Sequence, residues 1–297
     1  MTYVTTKLFR IQLIGQLLLV GIVLLFSLPP ITQAVFCGIL LCVVGIPHGS
    51  NDYLYRPNKS LLGMVIFLGI YLGVMMAYGI LWWIMPLLSL ILFFSISFHH
   101  FGQSNFENTS IWHLPSIGWG IWILALPVVL HENEATALFR EMTSSSSKTA
   151  AIAFFQRPDL SILSSGKIAL LVSLAGIYLA SLFFSERKNL IAYVAQFILV
   201  SSWYLLTPLL FGFIVVFCLW HSLQSVQHQF NYFQQQQQVG LKQFIRAMFP
   251  FSFVALIVFG LYVYMRGFQI SEAFILLSLI TLPHVLVMHR LYSSNPH

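Results

Sequence analysis

Charge is what this chain lacks. Asp, Glu, Lys and Arg make up 7% of its 297 residues, against about 25% in soluble domains. So few charges exclude a water-soluble surface of this length, and 58% of the residues are hydrophobic. Mean hydropathy is +0.85. Cysteine is scarce as well: Cys37, Cys42 and Cys218 all lie inside apolar runs, which excludes a disulfide framework and a thiolate metal site. The apolar runs lack the period-2 alternation of a membrane barrel. No GxSxG element is present, so a hydrolase nucleophile has no motif. Neither HxxxH nor HxxHH spacing occurs, against a two-iron lipid desaturase or hydroxylase. The net charge of +6 does not point to nucleic acid, because the basic residues are scattered through loops.

What is present is a series of long apolar segments. A spanning helix needs about 20 such residues. Ten segments qualify: 9–28, 31–50, 61–83, 86–102, 112–130, 166–184, 189–206, 208–229, 248–265 and 271–291. The fold class is therefore all-α, a polytopic membrane helix bundle, read as a single transmembrane catalytic domain over residues 1–297. The first segment has no small-residue cleavage site after it and reads as a retained helix, not a signal peptide. The long loop from His131 to about Ser165 holds amphipathic pieces, TALFREM and AIAFFQ, expected to form short interfacial helices. Gln234–Gln238 reads as a solvated tether.

Lys and Arg set the orientation. With the N-terminus cytoplasmic, Lys7, Arg10, Arg56, Lys59, Arg187, Lys188, Lys242, Arg246 and Arg290 lie inside, and Arg140, Lys148, Arg157, Lys167 and Arg266 outside. The bias favours a multi-pass protein of the cell inner membrane with both termini cytoplasmic.

The ten histidines carry the functional signal. His48, the pair His99 and His100, His221 and His284 fall toward the same end of four segments that run in parallel. Imidazoles at membrane depth are costly unless they bind, carry protons or hold a metal. Neutral imidazole suits Fe, Zn, Cu and Ni. His99 and His100 lie about 100° apart on a helix, so one faces a site and the other supports it. His228 shares a face with His221 and is the alternative to His284 as a further ligand; its competing reading is an interfacial residue near the Gln run. Asp52, four residues after His48, is placed to accept a hydrogen bond from that ring and fix its tautomer. His284 and His289 are five apart and face nearly opposite ways. His113, His131 and His297 read as surface groups. Pro47 and Pro283 each precede a motif histidine and are expected to kink their helices.

Taken in order, Pro47-His48-Gly49-Ser50-Asn51-Asp52, His100-Phe101-Gly102-Gln103-Ser104-Asn105, His221-Ser222-Leu223-Gln224-Ser225 and Pro283-His284 resemble the Brp/Blh family of membrane-bound bacterial β-carotene 15,15'-dioxygenases. The resemblance implies an oxidoreductase that uses Fe(II) and O2 to cleave β-carotene, or a related carotenoid, into retinal within the membrane lipid. A retinal-binding rhodopsin would be the product acceptor. It implies iron ligands at His48, His100, His221 and position 225, with no catalytic group beyond the ligands. Position 225 is Ser, so His284 or His228 is expected to complete the set. Asn105 stands where the family pattern has an acid, and is placed with Asp52 and His99 among the supporting residues. Two other readings remain: a non-catalytic carotenoid or retinal binder, and a membrane transporter with a histidine site.

Overall fold

The computed structural model describes residues 6–56, 58–106, 110, 112–144, 154–158, 160 and 163–294. All regular structure among them is helical: α1 Lys7–Leu25, α2 Pro30–Leu40, α3 Ile46–Gly49, α4 Leu61–Ile84, α5 Pro86–Phe106, α6 Leu114–Leu130, α7 Glu132–Thr143, α8 Ser165–Ser185, α9 Leu190–Leu206, α10 Leu209–Val216, α11 Leu223–Gln237, α12 Leu241–Arg266 and α13 Ile270–Ser294. A π-helical turn, Leu41–Gly45, joins α2 to α3, and a second, Phe217–Ser222, joins α10 to α11. Among the described residues, nine helices are long and apolar enough to cross a membrane, and a tenth crossing results if α6 and α7 count together.

Local chemistry sets the boundaries. The Thr6 hydroxyl caps α1 by accepting from the Phe9 amide at 3.2 Å, and Ser60 caps α4 through the Gly63 amide at 3.1 Å. Such caps satisfy a helix N–H that has no intrahelical partner. Pro86 opens α5 at a position where a missing N–H costs nothing.

Several segments run longer than the sequence expectation. α5 continues through FGQSN to Phe106, and α12 begins at Leu241 instead of 248. The glutamine run is not a tether. Gln234 to Gln237 extend α11, and Gln238 closes it in the left-handed region with φ 52°. Glutamine is a good helix former, so a polar run prolongs the helix beyond its apolar part. TALFREM lies in α7, bent 103° from α6. AIAFFQ falls partly outside the described residues.

Two compact units are present. The first comprises residues 1–40, 98–136 and 150–221, with α6 against α8 and α9, α1 against α9, and α2 against α10. Its interior holds Trp119, Trp203, Trp220, Tyr178 and Tyr204, all fully buried. Three of these polar tips find partners: Trp203 Nε1 donates to the Gly212 carbonyl at 3.2 Å, Tyr204 to Ile123 at 3.0 Å, and Trp220 to Gln16 at 3.2 Å. A buried aromatic N–H or O–H left unbonded would cost free energy that the ring's burial would have to offset.

The second unit comprises residues 41–97, 137–149 and 222–297. Here α13 lies along α4, and α3 sits against α11 and α12. Trp82 donates to Ser278 at 2.8 Å and Tyr78 to the Ser89 carbonyl at 2.7 Å. The α4 span has only 6% of its apolar window buried, whereas the span from Leu209 to Gln237 has 72% buried. The first is a largely exposed helix and the second a largely buried one, and the buried one carries both His221 and His228.

Candidate functional site

In the second unit the site begins at Pro47. Proline has no N–H, and its ring collides with the carbonyl four residues back. The chain answers with the wide turn Leu41–Gly45 just before it. Single π turns of this kind recur at functional sites. The turn leaves the Gly45 carbonyl on the His48 ring, bonded to Nδ1. A carbonyl only accepts, so Nδ1 carries the proton and the lone pair lies on Nε2.

His284, the residue after Pro283 on α13, meets His48 edge to face, with ring centroids 5.1 Å apart at 84°. Its Nδ1 stands 2.9 and 3.0 Å from the two Asp52 oxygens. Tyr71 of α4 donates to the same carboxylate at 2.9 Å. Asp52 is 3% exposed and His284 also 3%. A carboxylate so deep needs this pairing. The partner of Asp52 is therefore His284 and not His48, as the four-residue spacing had led one to expect. The chain leaves the helix at Gly49 and re-forms a 3-10 turn over Asp52–Tyr55, which carries the carboxylate off the helical register assumed for i,i+4.

Gln229 of α11 holds the turn that bears His48. It is fully buried, donates to the His48 carbonyl at 3.0 Å and accepts from Asn51 at 2.8 Å. His228 is 7% exposed and Ser225 fully buried. His228 is thus a core residue, not a water-satisfied interfacial one. His289 is exposed where His284 is buried, as the five-residue spacing requires.

In the first unit His100 on α5 is 1% exposed and His221, in the turn Phe217–Ser222, 2%. Their rings lie 4.7 Å apart at 77°. Phe101 stacks on His221 at 4.3 Å and 17°, and Phe217 lies 5.6 Å away. Ser104 fixes the tautomer. Its hydroxyl is 3.1 Å from His221 Nδ1 and donates its single proton to the Phe101 carbonyl at 3.0 Å. It can only accept from the ring, so His221 Nδ1 carries the proton and Nε2 the lone pair.

Gly102 explains why the motif continues with glycine. A Cβ there would stand 1.9 Å from the Ser116 carbonyl of α6, and one at Gly120 would stand 1.8 Å from the Phe98 carbonyl. The two glycines let the histidine-bearing turn of α5 press directly on α6. Asn105 pairs with Gln196 in a reciprocal amide contact, at 2.9 and 3.4 Å. His99 is half-buried beside His100. His131 is not a surface group: it is 1% exposed and bonds the Thr207 carbonyl at 3.1 Å. His113 is partly exposed, caps α6 and lies 2.9 Å from Ser116. His297 lies outside the described residues.

Sequence reasoning missed Tyr71, Ser104 and Gln229. Ser104 lies one turn beyond His100, within the motif. Tyr71 sits in the middle of an apolar span with no local signal. Among the described residues, no three His, Cys, Asp or Glu side chains are arranged to hold a metal ion; the histidines stand in pairs, His48 with His284 and His100 with His221.

Buried imidazole pairs within membrane-length apolar helices define a polytopic membrane protein with two histidine pairs, one in each unit. Phe101 and Phe217 give the His221 ring apolar surroundings. A family model described as Beta-carotene 15,15'-dioxygenase matches residues 39–292, and the chain belongs to that family. The Beta-carotene 15,15'-dioxygenase of uncultured marine bacterium 66A03 is 27% identical over 282 residues, covering 88% of this chain and 94% of that relative. No solved structure matches the chain.

Proposed function

We propose that this protein cleaves the central double bond of β-carotene with O2 to give retinal, with Fe(II) as cofactor; the candidate ligands are the pair His48 and His284 in the second unit and the pair His100 and His221 in the first. The family membership supports the reaction class. The observation that carries the residue assignment is the tautomer shared by three rings. His48, His221 and His284 each have Nδ1 on an oxygen atom, from Gly45, Ser104 and Asp52. That directs the basic lone pair to Nε2, the usual arrangement behind a metal-bound imidazole. Neutral nitrogen donors fit Fe(II), and each pair supplies two.

Bound iron would supply the one-electron chemistry with O2 that closed-shell side chains lack. The chain's own part is to bind and orient. Asp52 and Gly45 hold two rings, Ser104 a third, while Phe101 and Phe217 give the His221 ring an apolar border suited to a polyene. We place both termini in the cytoplasm of the inner membrane on the Lys/Arg bias, with a retinal-binding rhodopsin as the acceptor of the product.

Expression in carotene-producing cells tests the reading. Wild type should deplete β-carotene and form retinal carrying oxygen from labelled O2, and the purified protein should hold about one iron per chain. Carotenoid that copurifies intact, without iron or retinal, would replace the enzyme by a binder.

A further inference from the structure

We infer that a recess of about 280 Å³ in the second unit binds the phosphodiester headgroup of an anionic membrane lipid, through Arg56 and Lys59. Two chain reversals line it: Arg56 and Lys59 lie just before α4, Gln237 is the last residue of α11, and Gln243 and Phe244 lie in the first turn of α12, with Tyr53 on the wall. The inference does not depend on the proposed cleavage reaction.

Position comes first. Arg56 directly follows the span that ends at Tyr55, and Lys59 precedes the span that starts at Leu61. Gln237 ends one span, and Leu241 starts the next. The recess is therefore at a membrane-water boundary, where headgroups lie. Its two walls must sit on one face of the bilayer, so an even number of crossings separates them. The count between them is even only if α6 and α7 together make one crossing.

Charge comes second. Residues 53–60 and 233–247 carry Arg56, Lys59, Lys242 and Arg246, and no Asp or Glu. Among the described residues, the two lining cations hydrogen-bond only backbone oxygen: Arg56 donates to the Tyr53 carbonyl at 2.8 Å and the Lys59 carbonyl at 3.3 Å, and Lys59 donates to the Leu54 carbonyl. Neither meets a carboxylate of the described residues. The Arg56 Nε is buried and has no hydrogen-bond partner. Leaving such a donor unmade is costly. Partial desolvation of its ammonium and the neighbouring Arg56 charge both lower the Lys59 pKa, and an anion between the two cations would offset both. Guanidinium and ammonium together are suited to phosphate oxygen. Basic pockets at helix ends on the cytoplasmic side take acidic lipid headgroups in the same way. The aromatic walls, Tyr53 and Phe244, are suited to the glycerol and upper acyl region next to such a headgroup.

The test uses full-length protein, delipidated in detergent and titrated separately with phosphatidylglycerol, phosphatidylcholine and inorganic phosphate. Thermal midpoint and retained lipid by native mass spectrometry are read together. Phosphatidylglycerol should raise the midpoint by at least about 3 °C and remain bound, and phosphatidylcholine should do neither. Lys59→Glu, at an exposed position that leaves folding intact, should weaken apparent phosphatidylglycerol affinity by at least about tenfold, and Arg56→Gln combined with Lys59→Gln should abolish the preference. An equal response to phosphatidylcholine, or a Lys59→Glu protein that responds like wild type, overturns the inference. Inorganic phosphate reproducing the whole shift would assign the recess to a free anion and overturn the lipid.

Discussion

Asp52 accepts the Nδ1 proton of His284 across 232 positions of sequence, with both carboxylate oxygens within 3.0 Å of the ring. Tyr71 donates to the same carboxylate. The carboxylate therefore serves the histidine of the last helix, while a main-chain carbonyl serves His48.

Asp52→Asn keeps one acceptor for the ring but must present its amide N–H₂ toward Tyr71 or turn over. Retinal formation and iron content should fall about 10–100-fold, as for the loss of an orienting group. Tyr71→Phe should be milder in activity and cost about 1–3 kcal/mol of stability, from one carboxylate oxygen left unbonded. Thermal unfolding and metal analysis of both variants check this. Complete loss of iron in Asp52→Asn would make Asp52 itself a ligand.

His48→Ala, His100→Ala and His221→Ala should each remove iron, or lower retinal yield by orders of magnitude, in protein that still inserts. Wild-type yield from any one of them removes that residue from the ligand set.

Ser104→Ala deletes the acceptor that fixes the His221 tautomer. Iron affinity should drop about 10–100-fold, and Ser104→Thr should restore most of it because the hydroxyl is retained. A Ser104→Ala protein with unchanged iron affinity would show that the hydroxyl has no orienting role.

Gly102→Ala should destabilise by about 1–3 kcal/mol or more, since the new Cβ meets the Ser116 carbonyl and the core cannot absorb it. Expression and thermal stability report this independently of activity. A variant as stable as wild type would mean that α5 and α6 can separate at no cost.

His284→Ala should lower iron occupancy more than His228→Ala, because the Asp52 carboxylate holds the His284 ring with its proton on Nδ1 and its lone pair on Nε2. The reverse order would move the fourth ligand to His228. Ser225→His, which helical spacing alone would allow, should be poorly tolerated: Ser225 is fully buried, and an added imidazole overpacks the core by about 1–3 kcal/mol.

The sequence by itself determined the class and the spans. Apolar length, scarce charge and proline punctuation act locally, so nearly every helix lies where hydropathy places it. The motif histidines were legible for the same reason: an imidazole in an apolar run stands out without its neighbours. Their partners were not. Asp52 meets His284, Ser104 meets His221 and Asn105 meets Gln196 across long stretches of chain. Periodicity within one helix carries no information about such pairs. The turns that aim His48 and His221 also escaped, since a π turn answers to packing and to a missing N–H more than to composition. His131 shows the same limit: its place after an apolar run reads as surface, but α6 bends 103° into α7 there, and the Thr207 carbonyl supplies the hydrogen bond that lets it stay buried. Only the tertiary structure decides that, because burial of a polar ring depends on an acceptor that the local sequence does not contain.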